Sequence, residues 1–217
     1  NTYLIKTNSN GEEQWHTISG GDELDGGNSV FQTADGGYFI TNHTESYGAG
    51  DCDSYIFKTD ENGNMVWSNT YGDIYDDAGY EGIQTIDGGY AVTGLTVTDD
   101  DMQGNTFLAK YTAAGETEWV KTFGDSGIDL SERMLQTPDG GFLLAGMTTF
   151  PSNGPEDIAV IKTDAAGNLQ WSKHFGGDGY EEAYGLAATA DGGYVISGFS
   201  TSFSTNNDDA YLVKINS

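Results

Sequence analysis

Residues 33–44 read TADGGYFITNHT. The phrase returns as TIDGGYAVTGLT at 85–96, TPDGGFLLAGMT at 137–148 and TADGGYVISGFS at 189–200. Its aspartates, Asp35, Asp87, Asp139 and Asp191, step by 52 residues without drift. Trp15, Trp67, Trp119 and Trp171 keep the same step. So does a short apolar run ending in lysine: YLIK at 3–6, YIFK at 55–58, FLAK at 107–110, AVIK at 159–162 and YLVK at 211–214. A period near 50 marks an array in which one unit cannot bury its own apolar face.

Each unit reads as four short strands. The lysine-ending run comes first, then a glycine turn, which in Asn10-Gly11 and Asn62-Gly63 is the preferred pair for a tight hairpin. The tryptophan strand follows, then a long loop, a third strand, the Asp-Gly-Gly hairpin, a fourth strand and a second long loop. Asp-Gly-Gly is a turn, since glycine accepts backbone angles that a Cβ forbids. No Lys-Ser/Thr follows it, so it is not a phosphate loop. Four antiparallel strands per unit give an all-β fold, a β-propeller of four four-stranded blades. The single domain spans 1–217, with repeats 1–52, 53–104, 105–156 and 157–208 and an extra strand at 209–217.

The stretch IKTDENGNMVW at 56–67 resembles the docking motif of PQQ-like propellers. Asp-x-x-Gly-x-x-x-Trp is complete at 60–67 and 164–171, whereas Asn8 and Thr112 replace the aspartate in the other copies. The T-x-D-G-G-Y pattern is similar to that of secreted bacterial and archaeal repeat propellers. That resemblance implies blade docking by Trp15, Trp67, Trp119 and Trp171, and an extracellular or cell-surface location. It implies no chemistry, and nothing here resembles a quinone site.

The chain carries 34 acidic against 8 basic residues, a formal charge of −26. Such a surface repels nucleic acid and anionic lipid, and no apolar stretch is long enough to span a membrane. One cysteine, Cys52, excludes an internal disulfide. Neighbouring carboxylates disfavour its thiolate. The chain starts inside a repeat, as expected of a processed or excised segment. The long loops hold 23 of the acids and are expected on one face. Asp25, Asp77, Asp129 and Glu181 are repeat equivalents that either cap turns or ring a Ca²⁺ ion. Asn1, Asp53, Asn105, Asp157 and Asp209 read as a second set of turn residues. The in-register lysines call for carboxylate partners or apolar cover. His16, His43 and His174 have no metal spacing. Asn42-His-Thr44 matches a glycosylation sequon. Tyr47, Tyr75, Phe150, Tyr180 and Phe203 anchor loops or stack on sugars.

The lysine-ending strand occurs five times where four blades need four. Tyr3, Leu4 and Ile5 on one side, and Tyr211, Leu212 and Val213 on the other, are expected to compete for one slot beside residues 13–19. The spare strand would pair with another molecule, head to tail. The expected function is therefore a non-enzymatic, secreted structural or assembly propeller, polymerising by strand exchange, with itself or a cell-surface or matrix component as partner. The alternatives are a Ca²⁺- or carbohydrate-binding module on the acidic loops, with no other cofactor, and a glycoside hydrolase using two loop carboxylates. Even loop lengths count against an enzyme, and no catalytic residue is expected.

Overall fold

The computed structural model describes residues 1–98, 103–124, 127–150, 152–203 and 208–216. Among these there is no helix, hence none long and apolar enough to cross a membrane. Loop acids Asp99, Asp100, Asp101 and Asp125, and Ser217 of the extra strand, lie outside the described residues.

Among the described residues seventeen strands form five antiparallel sheets. The first sheet is a hairpin of β1 (Thr2–Thr7) and β2 (Glu13–Ser19). The second contains β3 (Asp25–Gln32), β4 (Tyr38–Thr44), β5 (Asp53–Thr59) and β6 (Met65–Tyr71) in order. The third contains β7 (Asp77–Gln84), β8 (Tyr90–Val97), β9 (Gly104–Tyr111) and β10 (Thr117–Phe123). The fourth contains β11 (Asp129–Gln136), β12 (Phe142–Thr148), β13 (Asp157–Thr163) and β14 (Leu169–Phe175). The last is β15 (Glu181–Ala188), β16 (Tyr194–Ser200) and β17 (Asp209–Ile215). The repeated sheets are propeller-like and each full sheet is blade-like, as the period requires.

The count of blades is corrected. Three sheets have four strands, flanked by one of two and one of three, and no sheet closes on itself among the described residues. The expected competition for one slot is corrected too. Tyr3, Leu4 and Ile5 pair with Ile18, Thr17 and His16 on β2, while Tyr211, Leu212 and Val213 pair with Gly198, Ser197 and Ile196 on β16. Chain connectivity explains this. β2 follows β1 through a five-residue turn, and closing that short loop costs far less entropy than recruiting a strand from the other end of the chain.

Two compact units divide the chain: Asn1–Val92 with Ala109–Trp119, and Thr93–Leu108 with Val120–Ser217. The first packs Ile40, Tyr55 and Phe57 against Leu4 and Tyr38. The second packs Leu143, Ala145, Ile158, Val160, Ala183, Ile196 and Val213. β5 is buried along its whole length and β13 nearly so, which fits their continuous rather than alternating apolar runs, YIF at 55–57 and IAVI at 158–161.

The turns answer the opening motif. In Asp-Gly-Gly the first glycine takes a left-handed backbone, φ +86° at Gly36. The second has no room for a Cβ, which at Gly37 would collide with Thr59 O and Lys58 Nζ. Asp35 accepts from Thr33 Oγ1 and the Gly37 amide, and Lys58 Nζ lies 3.0 Å from it. Lys110–Asp87, Lys162–Asp139 and Lys214–Asp191 repeat that pair at 3.0 Å. The in-register lysines thus bridge neighbouring strands of one sheet, and Lys58, Lys110 and Lys162 do so from buried positions. Lys6 lies instead over the Trp15 and Tyr38 rings.

The other turn is held by the residue at its head. Asp60 Oδ1 accepts from the Asn62 and Asn64 amides, and Asn8 Oδ1 and Thr112 Oγ1 accept from the equivalent amides. The substitutions at 8 and 112 therefore keep the cap. A Cβ on Gly63 would strike the Trp15 ring, and one on Gly115 the Trp67 ring. Each of these tryptophans rests on the glycine turn of the next repeat. Asn69 Nδ2 reinforces the contact by donating to Gly115 O at 2.9 Å. Trp15, Trp67, Trp119 and Trp171 are half-buried, not sealed in a core.

Candidate functional site

Asp25, Asp77, Asp129 and Glu181 each open the first strand of a sheet, and all are buried. Asp25 accepts from Thr44 Oγ1, Ser46 Oγ and the Gly21 amide. Burial works against its ionisation, but these donors outweigh it and hold the carboxyl below the usual carboxylate range. Glu181 is held the same way by Ser200, Ser202 and the Gly177 amide. Both close the loop ahead of their own strand. Among the described residues no three His, Cys, Asp or Glu side chains converge as a metal cage.

Several sequence candidates have structural explanations. Burial first, then Asp76, Glu45 and Asp53, pushes the Cys52 thiol up to about 11. His16 pairs with Glu13 at 2.6 Å. Asn42 of the sequon is fully buried inside β4, out of reach of glycosylation. Tyr47 donates to Gly20 O and packs on Tyr55, and Phe203 packs on Tyr211.

The arrangement that sequence reading missed lies in the second unit, at two bulges. β3, β11 and β15 each carry an extra residue, at Asn28, Glu132 and Tyr184, which are repeat equivalents. A bulge re-aims the inserted side chain and is enriched beside active sites. In the first unit Asn28 donates to Gly79 O, a structural link. In the second unit Glu132 stands at that position. Its neighbour Arg133, the one arginine of the chain, donates from Nε to Tyr184 O at 2.8 Å. Tyr184 in turn donates its hydroxyl to Glu182 at 2.7 Å. Its ring is half-exposed and stacks on Phe199, with ring centroids 5.9 Å apart and an interplanar angle of 25°.

The electrostatics raise two of the carboxyl groups. Burial, then the charge of Glu182, raises Glu132, with Arg133 opposing. Burial, then Glu182, also raises Glu156. Tyr184 is pushed up to about 12, chiefly because its proton is held by Glu182. A half-buried glutamate with a raised pKa thus sits in the field of Glu182, which accepts the Tyr184 hydroxyl proton. Glu132, Arg133 and Glu182 depart from the repeat, whereas Tyr184 recurs as Tyr80. The equivalents of Glu132 are Asn28, Tyr80 and Tyr184, those of Glu182 are Gly26, Ala78 and Leu130, and those of Arg133 are Ser29, Glu81 and Gly185. That departure, centred on the single arginine, was the legible signal. A recess of about 420 Å³ in the same unit, lined by Lys121, Phe123, Phe150, Leu169 and His174, shares no residue with this cluster.

No protein family matches the sequence, and no curated protein matches it. Among solved structures it is similar to one described as "Bifunctional GH43-CE Bacteroides eggerthii", with 17% identity and a TM-score of 0.48. The likeness covers 87% of this chain and 24% of that one, so the chain spans about a quarter of that protein's length. The expectation of a non-enzymatic propeller polymerising by strand exchange is corrected. β1 and β17 lie in separate sheets, each with its own partner strand, and do not compete for one slot.

Proposed function

We propose that this chain hydrolyses a glycosidic bond, with Glu132 as general acid and Glu182 as the partner carboxyl group. The observation that carries the reading is the cluster of Glu132, Arg133, Glu182 and Tyr184 at two bulges, in which Glu132, Arg133 and Glu182 depart from the repeat. Glycoside cleavage needs one carboxyl that is still protonated at working pH and one that is not. Burial and the charge of Glu182 raise Glu132 and suit it to the first role, and Glu182, which accepts from the Tyr184 hydroxyl, is the candidate for the second. The Tyr184–Phe199 stack offers an apolar face on which a sugar ring can lie. Arg133, bonded to backbone on both β11 and β15, fixes the spacing of the two strands. Even loop lengths do not count against this site, because its asymmetry is in strand residues rather than in loops.

The test is release of nitrophenol from a panel of aryl glycosides by the wild type and by Glu182→Gln. The expected result is turnover of at least one sugar and a loss of about 10²-fold or more in the variant, the scale of a lost acid–base group. No turnover on the panel, or a variant as fast as the wild type, overturns the proposal.

A further inference from the structure

Two pairs of buried carboxylates recur 104 residues apart, outside the cluster described above. Asp53 opens β5 and Asp77 opens β7, while Asp157 opens β13 and Glu181 opens β15. Each pair meets at a glycine that sequence reading passed over. A Cβ on Gly72 would collide with both Asp53 Oδ1 and Asp77 Oδ2, and one on Gly176 with both Asp157 Oδ1 and Glu181 Oε2. The two oxygens of each pair therefore crowd one small volume. None of the four residues is more than 1% exposed.

Their partners leave that volume short of positive charge. Asp53 Oδ2 accepts from the Ala49 and Gly50 amides, and Asp157 Oδ2 from the Asn153 amide. Oδ1 of Asp53 and Oδ1 of Asp157 are buried with no hydrogen-bond partner, and each faces the same glycine as an oxygen of its neighbouring carboxylate. Glu181 is held ionised by the Ser200 hydroxyl and the Ser202 and Gly177 amides. Two carboxylates side by side in a dry site cannot both stay charged without compensation. The alternate repeats avoid the conflict. Asn105 meets Asp129 at Gly124 and Asn1 meets Asp25 at Gly20, so an amide replaces one of the two charges.

We propose that the Asp53–Asp77 and Asp157–Glu181 pairs each bind one hard divalent cation, with calcium as the probe. Paired carboxylate oxygens are the ligands such an ion selects, and backbone carbonyls or water complete its shell. An orphaned oxygen is a ligand position with its direction already set. The rival is a proton shared within each pair.

Equilibrium dialysis of chelator-treated protein against calcium alone distinguishes the two. The expected result is two calcium ions per chain. Asp53→Asn and Asp157→Asn should each lower that to one, and the double variant to zero. Asp129→Asn should leave it at two. Asparagine is native at the equivalent positions 1 and 105, so these variants are compatible with the fold. Calcium should also raise the melting temperature of the wild type more than sodium chloride of matched ionic strength, and lose that excess in the double variant. No bound calcium, or stoichiometry unchanged in Asp53→Asn and Asp157→Asn, overturns the proposal and leaves the shared proton.

Discussion

At the scale of single residues the repeat is held by one device used four times, a lysine reaching across to the Asp-Gly-Gly aspartate. Its acid behaviour follows from the carboxyl. Hydrogen bonds from Thr33 and then Lys58 hold Asp35 down at about 2, and Thr137 and Lys162 hold Asp139 at about 2, against an ordinary 3.8. A depressed folded value means that the contribution is complete above the unfolded pKa near 3.8 and is lost as pH falls through about 2. Urea melts between pH 5 and pH 2 should show stability falling in that window, and Asp35→Asn should fall less steeply. The two glycines of the motif should differ as well. Gly36→Ala places an ordinary residue at φ +86°, at a cost of about 1–2 kcal/mol. Gly37→Ala forces a Cβ onto Thr59 O and the buried Lys58 ammonium and should cost more, measured by the same melts. The need for a turn was legible in the sequence. The reason for two glycines was not, because the lysine that excludes a Cβ lies 21 residues further on.

At the scale of elements, strand identity was legible because each run is short, apolar and fenced by glycine turns. The partnership of the strands was misread at the ends. A period states which strands are equivalent but not which will pair, and local hairpin closure decides that for β1 and β2. The tryptophan strands bind one repeat to the next, ring against glycine turn. Trp67 also touches Phe39 and Tyr90, at 5.9 and 5.3 Å between ring centroids. Because it is half-buried, Trp67→Ala should cost about 2–3 kcal/mol, below the 3–5 kcal/mol of a fully buried indole. A loss under about 1 kcal/mol in a urea melt would show that the ring does not join the repeats. The bulges were not legible, since an inserted residue leaves the 52-residue step intact when every repeat carries it. Only the residue types at 132, 133 and 182 set this position apart in the second unit.

At the scale of the whole chain, burial differs between equivalent strands. Phe57 is 0% exposed, whereas its equivalent Ile5 is 46% exposed, and Leu212 is 68% exposed where Leu108 is 0%. Amide hydrogen exchange should therefore be fast in β1, β2 and β17 and slowest in β12 and β13. Uniform protection across all seventeen strands would contradict that gradient. The charge of −26 was legible from composition, but its local consequence was not, because only folding brings residues 53 and 77, or 157 and 181, to one glycine. The proposed hydrolysis places the chemistry where the repeat is broken, with Glu132 as the proton donor. Its most direct test is the dependence of Glu132→Gln on the leaving group. The account predicts a loss of about 10²-fold or more with a methyl glycoside, whose departing oxygen must be protonated, and a much smaller loss with a dinitrophenyl glycoside, whose oxygen leaves unaided. Equal losses on both substrates, or none on either, would contradict it.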